Sequence, residues 1–213
     1  MKYKYLSHLI SETTPLYGGY ENLIKIKRSK SIKAGDTSNN LTLEFPNHIG
    51  THIDFPFHFS MNGKKLQDYS AEFWIFNNVG FIQTEFSKIE KDLDNLSEDI
   101  DFLIIKTGFE NYRDQKKYWS EQPIISSKIA KILKEKFKYL RVIGFDMISL
   151  TSQLDKEEGK KAHNEFLIHN DLLVIEDMAL KNLKVCPNKL FVMPLMIKDS
   201  DGSPCTIIAE INE

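Results

Sequence analysis

Half of this chain's six histidines fall in one eleven-residue stretch, His48-Ile49-Gly50-Thr51-His52-Ile53-Asp54-Phe55-Pro56-Phe57-His58, together with one carboxylate. Neutral imidazole and carboxylate are the preferred ligands of zinc and related divalent ions. Three imidazoles among isoleucine and phenylalanine are hard to explain as core filling, so the stretch points to a metal-dependent enzyme. In an extended chain alternate side chains share a face. His52, Asp54, Pro56 and His58 then point one way, and Ile53, Phe55, Phe57 and Phe59 the other way, into a core. At about 3.3 Å per residue the Cα atoms of His52 and Asp54 stand roughly 6.6 Å apart, close enough to grip one ion, whereas His58 stands roughly 20 Å from His52. Pro56 argues against an unbroken central strand and allows a bend that returns His58. Gly50 admits a tight turn between His48 and His52. His48, His52 and Asp54 are therefore read as metal ligands, with His58 as an acid/base beside the metal.

Ligands converge only if the chain positions them, and the pattern supplies the elements. Leu23 to Ile32 alternates as a strand, and its basic residues (Lys25 to Lys33) form a solvated face. Turn formers follow from Ala34 to Asn40, and Leu41, Leu43 and Phe45 alternate as a returning antiparallel strand that leads to His48. Short buried strands are expected at residues 79–82, 102–105, 142–145, 172–175, 190–193 and 206–209. Ser126-Ser127 caps a helix burying Ile129, Ile132, Leu133 and Phe137 on one face. A short helical stretch is expected around 162–169. Many strands with a few interposed helices predict an α/β fold, a mixed β-sheet core with flanking helices, in a single domain over residues 1–213.

Composition removes several alternatives. A net charge of −2 gives no general attraction for nucleic acid or anionic membranes. No apolar run approaches the roughly 18 residues of a membrane span, and Met1 to Tyr5 lacks the apolar core of a signal peptide. With Cys186 and Cys205 in no ligand or redox spacing, two free thiols in a cytoplasmic protein are expected. The aromatics Phe55, Phe57, Phe59, Phe73, Trp74 and Phe76 are each expected in the core, with the lining of an aromatic pocket the alternative for some of them. A purely structural zinc site is disfavoured, because such sites favour cysteine and leave no open position.

The eleven-residue stretch satisfies every fixed position of HxGTHxDxPxH and resembles the metal-dependent cyclase family, which includes bacterial kynurenine formamidases and isatin hydrolases. The resemblance extends to Leu6-Ser7-His8, Thr13 to Tyr17, the strand ending at Thr107-Gly108, Gly144 to Ser149, Met193-Pro194-Leu195 and Gly202-Ser203-Pro204. Departures are Gly18, where proline is common, and Thr206, where arginine is frequent. The family's swivelling β/β/α fold is implied. So is a second ligand pair, matching His163 and Glu176, whose thirteen-residue spacing is one longer than in the formamidases. That extra residue leaves His169 and Asp177 as alternatives, His169 being read as a surface residue and Asp177 as a solvated turn residue. His8 is read as structural.

The resemblance further implies hydrolysis of a carbon–nitrogen bond in a small molecule, an aryl formamide such as N-formylkynurenine or a cyclic amide. The expected cofactor is Zn2+, one or two ions sharing Asp54, with Mn2+ also compatible with the ligand set. Lactone hydrolysis or cyclisation/dehydration of another small molecule is the alternative enzymatic reading. A homodimer or homotetramer is implied by resemblance alone.

Overall fold

The computed structural model describes residues 1–212. Eleven strands run in chain order as β1 (Lys2–Tyr5), β2 (Lys25–Lys30), β3 (Asn40–Glu44), β4 (His52–Asp54), β5 (Ile75–Phe76), β6 (Val79–Gln83), β7 (Phe102–Lys106), β8 (Val142–Phe145), β9 (Leu173–Glu176), β10 (Lys189–Pro194) and β11 (Gly202–Ile211). The helices are α1 (Ile89–Asp92), α2 (Lys117–Ser120), α3 (Lys128–Lys136) and α4 (Lys156–His163), with several single 3-10 turns.

Nine strands form one mixed sheet in the order β5-β10-β11-β4-β9-β8-β7-β6, with β1 also paired to β11. Strands β6 to β9 are parallel neighbours, and every other pairing in this sheet is antiparallel. The two ends of the path, β5 and β6, are consecutive in the chain, so the sheet curls towards a barrel. Phe76 of β5 meets Phe102 of β7 edge to face at 5.0 Å across the gap. The inner strands Phe102–Lys106, Val142–Phe145 and Leu173–Glu176 are buried along their whole length, as strands covered on both faces must be. α3 packs Ile129, Ala130 and Leu133 on the core, and the expected α/β architecture is the one observed. Phe73, Trp74 and Phe76 belong to this core, packed with Phe55 and Tyr69.

β2 and β3 pair antiparallel as expected, in a separate two-stranded sheet in which Leu41 and Leu43 are 54% and 55% exposed. Two expectations need correction. The helix expected at 162–169 starts earlier, at Lys156, where the Asp155 carboxylate accepts the Glu158 N–H as an N-cap, and continues into a wide turn over Asn164–His169. Alternation through the histidine segment stops at Asp54. Pro56 opens a 3-10 turn over Pro56–His58, so Ile53 and Phe55 are buried while Phe57 and Phe59 are half-buried.

Both cysteines are free thiols, Cys205 buried and Cys186 exposed. Among the described residues, no helix is long and apolar enough to cross a membrane.

Candidate metal centre

β4 lies between β9 and β11, and its register sets the site. His52 pairs with Glu176 and Asp54 with Gly202. Gly50 takes φ +56°, a left-handed turn that glycine adopts at little cost, and its carbonyl accepts the His52 Nδ1–H at 2.8 Å. That bond presents His52 Nε2 to the site, 3.3 Å from Glu176 Oε2 and 3.6 Å from Asp54 Oδ1. His163, at the end of α4, is oriented in the same way. Its Nδ1 donates to the Gly159 carbonyl at 2.9 Å, and its Nε2 stands 3.5 Å from both Asp54 Oδ2 and Glu176 Oε1. Phe59 stacks on the His163 ring at 4.7 Å.

His48 reaches in from the loop before β4, with Nδ1 2.9 Å from Asp54 Oδ1 and Nε2 3.1 Å from Asp201 Oδ2. Its ring lies directly on Gly202, where a Cβ would sit 2.3 Å from His48 Cε1, so no side chain fits there. The bend at Pro56 returns His58 to 4.2 Å from the His48 ring, and His58 Nδ1 is 2.8 Å from Asp201 Oδ2.

All six residues named from the sequence thus converge on one pocket of about 320 Å³, whose other walls include Pro15, Tyr17, Ile148 and Ser149. Among the described residues, two groups of donor atoms are tight enough to hold an ion: His48, Asp54 and His58, and His52, Asp54 and Glu176. His58 shares the first group, where the sequence reading paired His48 with His52 instead. Asp54 is common to both. Asp54 Oδ1 is buried, and although His48 Nδ1 stands 2.9 Å away the two are not aligned for a hydrogen bond, so this oxygen has no hydrogen-bond partner. A carboxylate oxygen in that condition is costly unless a cation meets it. Atoms bound at about 2.0–2.2 Å around a tetrahedral ion stand roughly 3.3–3.6 Å apart, the spacing seen here between imidazole nitrogens and carboxylate oxygens. The nitrogen and oxygen donors therefore fit a divalent ion.

Burial and the opposite charges within the cluster pull its titrations in opposite directions. Burial works against the His48 imidazolium, but Asp54 and Asp201 outweigh it and raise its pKa to about 10. Burial likewise opposes His163, yet Asp54 and Glu176 raise it to about 10. His52 is raised against its burial by Glu176 and Asp54. Burial favours protonation of Asp54, but His48, His163 and His52 hold it well below the usual carboxylate range. Glu176 is also lowered, because His163 and His52 overcome burial and the neighbouring Asp54 charge. Protons on such a cluster compete directly with a cation for the same lone pairs.

The two alternatives resolve in different ways. His169 is exposed. Asp177 is not the solvated turn residue expected: it is 1% exposed, takes φ +50°, and, although it lines the pocket, its carboxylate is held by Arg113 and the Tyr118 hydroxyl. His8 is half-buried beside Glu110 and Asp177, outside the ligand cluster. The sequence reading did not single out Asp201, which touches both His48 and His58, although it lies one residue before the Gly202-Ser203-Pro204 element.

The Cyclase family model matches residues 5–152. A kynurenine formamidase of Bacillus anthracis is 29% identical over 187 residues, covering 87% of this chain and 83% of the relative. One of Bacillus cereus strain ATCC 10987 is 32% identical over 162 residues, covering 74% and 73%. Among solved structures, isatin hydrolase A from Labrenzia aggregata bound to benzyl benzoate superposes with a TM-score of 0.80 at 17% identity, covering 100% of this chain and 94% of that one. An isatin hydrolase bound to the product analogue thioisatinate gives 0.78 at 16% identity, covering 100% and 93%. The family model's match over residues 5–152, through the histidine segment that builds the pocket, establishes this chain as a member of the cyclase family, and its kynurenine formamidase relatives support a hydrolase.

Proposed function

We propose that this chain hydrolyses a carbon–nitrogen bond of a small aryl formamide, with N-formylkynurenine the leading candidate, or of a cyclic amide, in a metal-dependent reaction. The observation that carries the reading is the orphaned, buried Asp54 Oδ1 within a ring of imidazoles and Glu176. His48, His52 and Asp54 would hold a first ion, and His163 and Glu176, with Asp54, a second, although the donor spacing sets His58 beside His48 and Asp54, and Glu176 beside His52. Zn2+ suits this set of nitrogen and carboxylate donors, and Mn2+ is compatible. When bound, a divalent ion supplies Lewis acidity that lowers the pKa of water and polarises a carbonyl.

The protein's own residues do the rest. His58, at the open end of the cluster, takes the proton of the attacking water as the carbon–oxygen bond forms. It returns that proton to the nitrogen as the carbon–nitrogen bond breaks, the double role general acid/base catalysis requires. Backbone carbonyls of Gly50 and Gly159 keep His52 and His163 turned inward, the usual support for ligating imidazoles. Pro15, Tyr17, Phe59 and Ile148 give the pocket an apolar wall suited to a flat aromatic substrate. A homodimer or homotetramer in the cytoplasm is part of the same proposal.

The test is hydrolysis of N-formylkynurenine, a lactam and a lactone by the purified protein before and after chelation. Formamide or lactam hydrolysis that chelation abolishes and Zn2+ or Mn2+ restores supports the reading. Turnover of the lactone alone moves the chain to the alternative chemistry, and metal-loaded protein inert to all three contradicts a catalytic centre of this type.

A further inference from the structure

Asp201 stands between two imidazoles that the mechanism uses differently. Its Oδ2 lies 2.8 Å from His58 Nδ1 and 3.1 Å from His48 Nε2, and its Oδ1 accepts from Asn47 Nδ2 at 2.7 Å. The backbone is anchored as firmly as the side chain. The Asp201 carbonyl accepts the Phe55 N–H at 2.9 Å, and the next residue, Gly202, pairs with Asp54. Asn47 Nδ2 also donates to the Gly202 carbonyl at 3.0 Å. The β4–β11 register that places Asp54 in the centre therefore also delivers this carboxylate to the outer edge of both rings.

We propose that Asp201 is a positioning residue that keeps the His58 proton on Nδ1, leaving Nε2 as the lone pair that faces the reacting water, and that the same oxygen steers His48. The inference rests on the hydrolase reading for its kinetic consequence but not for its geometry. A carboxylate behind an imidazole fixes ring orientation and tautomer and stabilises the imidazolium formed in turnover. The same arrangement behind His48 leaves its Nδ1 towards Asp54 as the ligating atom, and outer carboxylates of this kind are typically worth 10–100-fold. One side chain serves both because Pro56 folds His58 back over His48.

Two measurements on the full-length, zinc-loaded protein test the proposal. Long-range imidazole ¹H–¹⁵N spectra read the tautomer directly. His58 protonated on Nδ1 in the parent protein, with its tautomer balance altered in Asp201→Asn, is the expected result. A proton on His58 Nε2 in the parent, or a His58 spectrum unchanged in Asp201→Asn, overturns the proposal. This arm needs no turnover, so it decides the arrangement even if the hydrolase reading fails. In the kinetic arm, Asp201→Ala is expected to lower kcat about 10–100-fold with KM changed less than about threefold. The same substitution in a His58→Ala background is expected to change kcat less than about threefold. Equal losses in the two backgrounds mean that Asp201 does not act through His58, and the proposal falls.

Discussion

Two buried carboxylates next to the same strand meet opposite fates. Asp177, directly after β9, is satisfied by permanent donors: the Arg113 guanidinium at 2.7 and 2.8 Å and the Tyr118 hydroxyl at 2.6 Å. Asp146, at the end of β8, is likewise met by the Thr107 and Gly108 backbone N–H groups. Asp54, on β4, is surrounded by groups that ligate as readily as it does, and one of its oxygens has no hydrogen-bond partner. A buried carboxylate bound by fixed donors is structural, while one ringed by other potential ligands is suited to a cation. That contrast separates scaffold from site within a few residues.

The contrast breaks most severely at Asp54. Asp54→Ala is expected to leave the fold intact but drop bound metal to less than about a tenth of an ion per chain and activity below detection. Elemental analysis with circular dichroism checks this, and full metal retention would put the site elsewhere. Next comes His58→Ala, with kcat reduced roughly 10²–10⁴-fold and metal content near that of the parent. Metal lost in that variant would make His58 a ligand, as its grouping with His48 and Asp54 permits.

The scaffold network should respond in stability, not in metal. Arg113→Ala strands the Asp177 charge and is expected to cost about 3 kcal/mol, a Tm fall of roughly 6–12 °C, with metal stoichiometry unchanged. Tyr118→Phe removes one hydrogen bond to the same carboxylate and should cost about 1–2 kcal/mol. Metal loss in either variant would show that the two regions are not separable.

A further expected effect is a pH dependence most pronounced in the metal-free protein. His48 and His163 are raised to about 10 in the folded chain from the ordinary 6.5. Their stabilisation is therefore fully present below 6.5 and is lost as pH rises through about 10. The Tm of chelated protein should fall across that window, while metal-loaded protein, whose ligands are already deprotonated, changes less. Equal profiles would contradict a cluster that exchanges protons for metal.

How much of this was legible in the sequence follows from how local each cause is. His48, His52, Asp54 and the return of His58 could be read because Gly50 and Pro56 encode the two bends inside the same segment. The burial of β7, β8 and β9 could be read from their unbroken apolar runs. His163 and Glu176 came from family resemblance, since nothing in their neighbourhood announces a ligand. Asp177 was misread because a polar residue after a strand looks like a solvated turn, and its partners, Arg113 and Tyr118, are 64 and 59 residues away. Asp201 was passed over for the same reason, being 143 residues from His58. The β2–β3 hairpin was legible from its alternation, but not that it stands apart from the main sheet with Leu41 and Leu43 exposed.

The most direct test of the central claim is a crystal structure of the zinc-loaded protein with anomalous scattering recorded at the zinc edge. The account predicts a peak about 2.0–2.2 Å from an Asp54 carboxylate oxygen and from at least one of the His48 and His52 ring nitrogens. A fully loaded crystal with no anomalous peak in contact with Asp54 would contradict it.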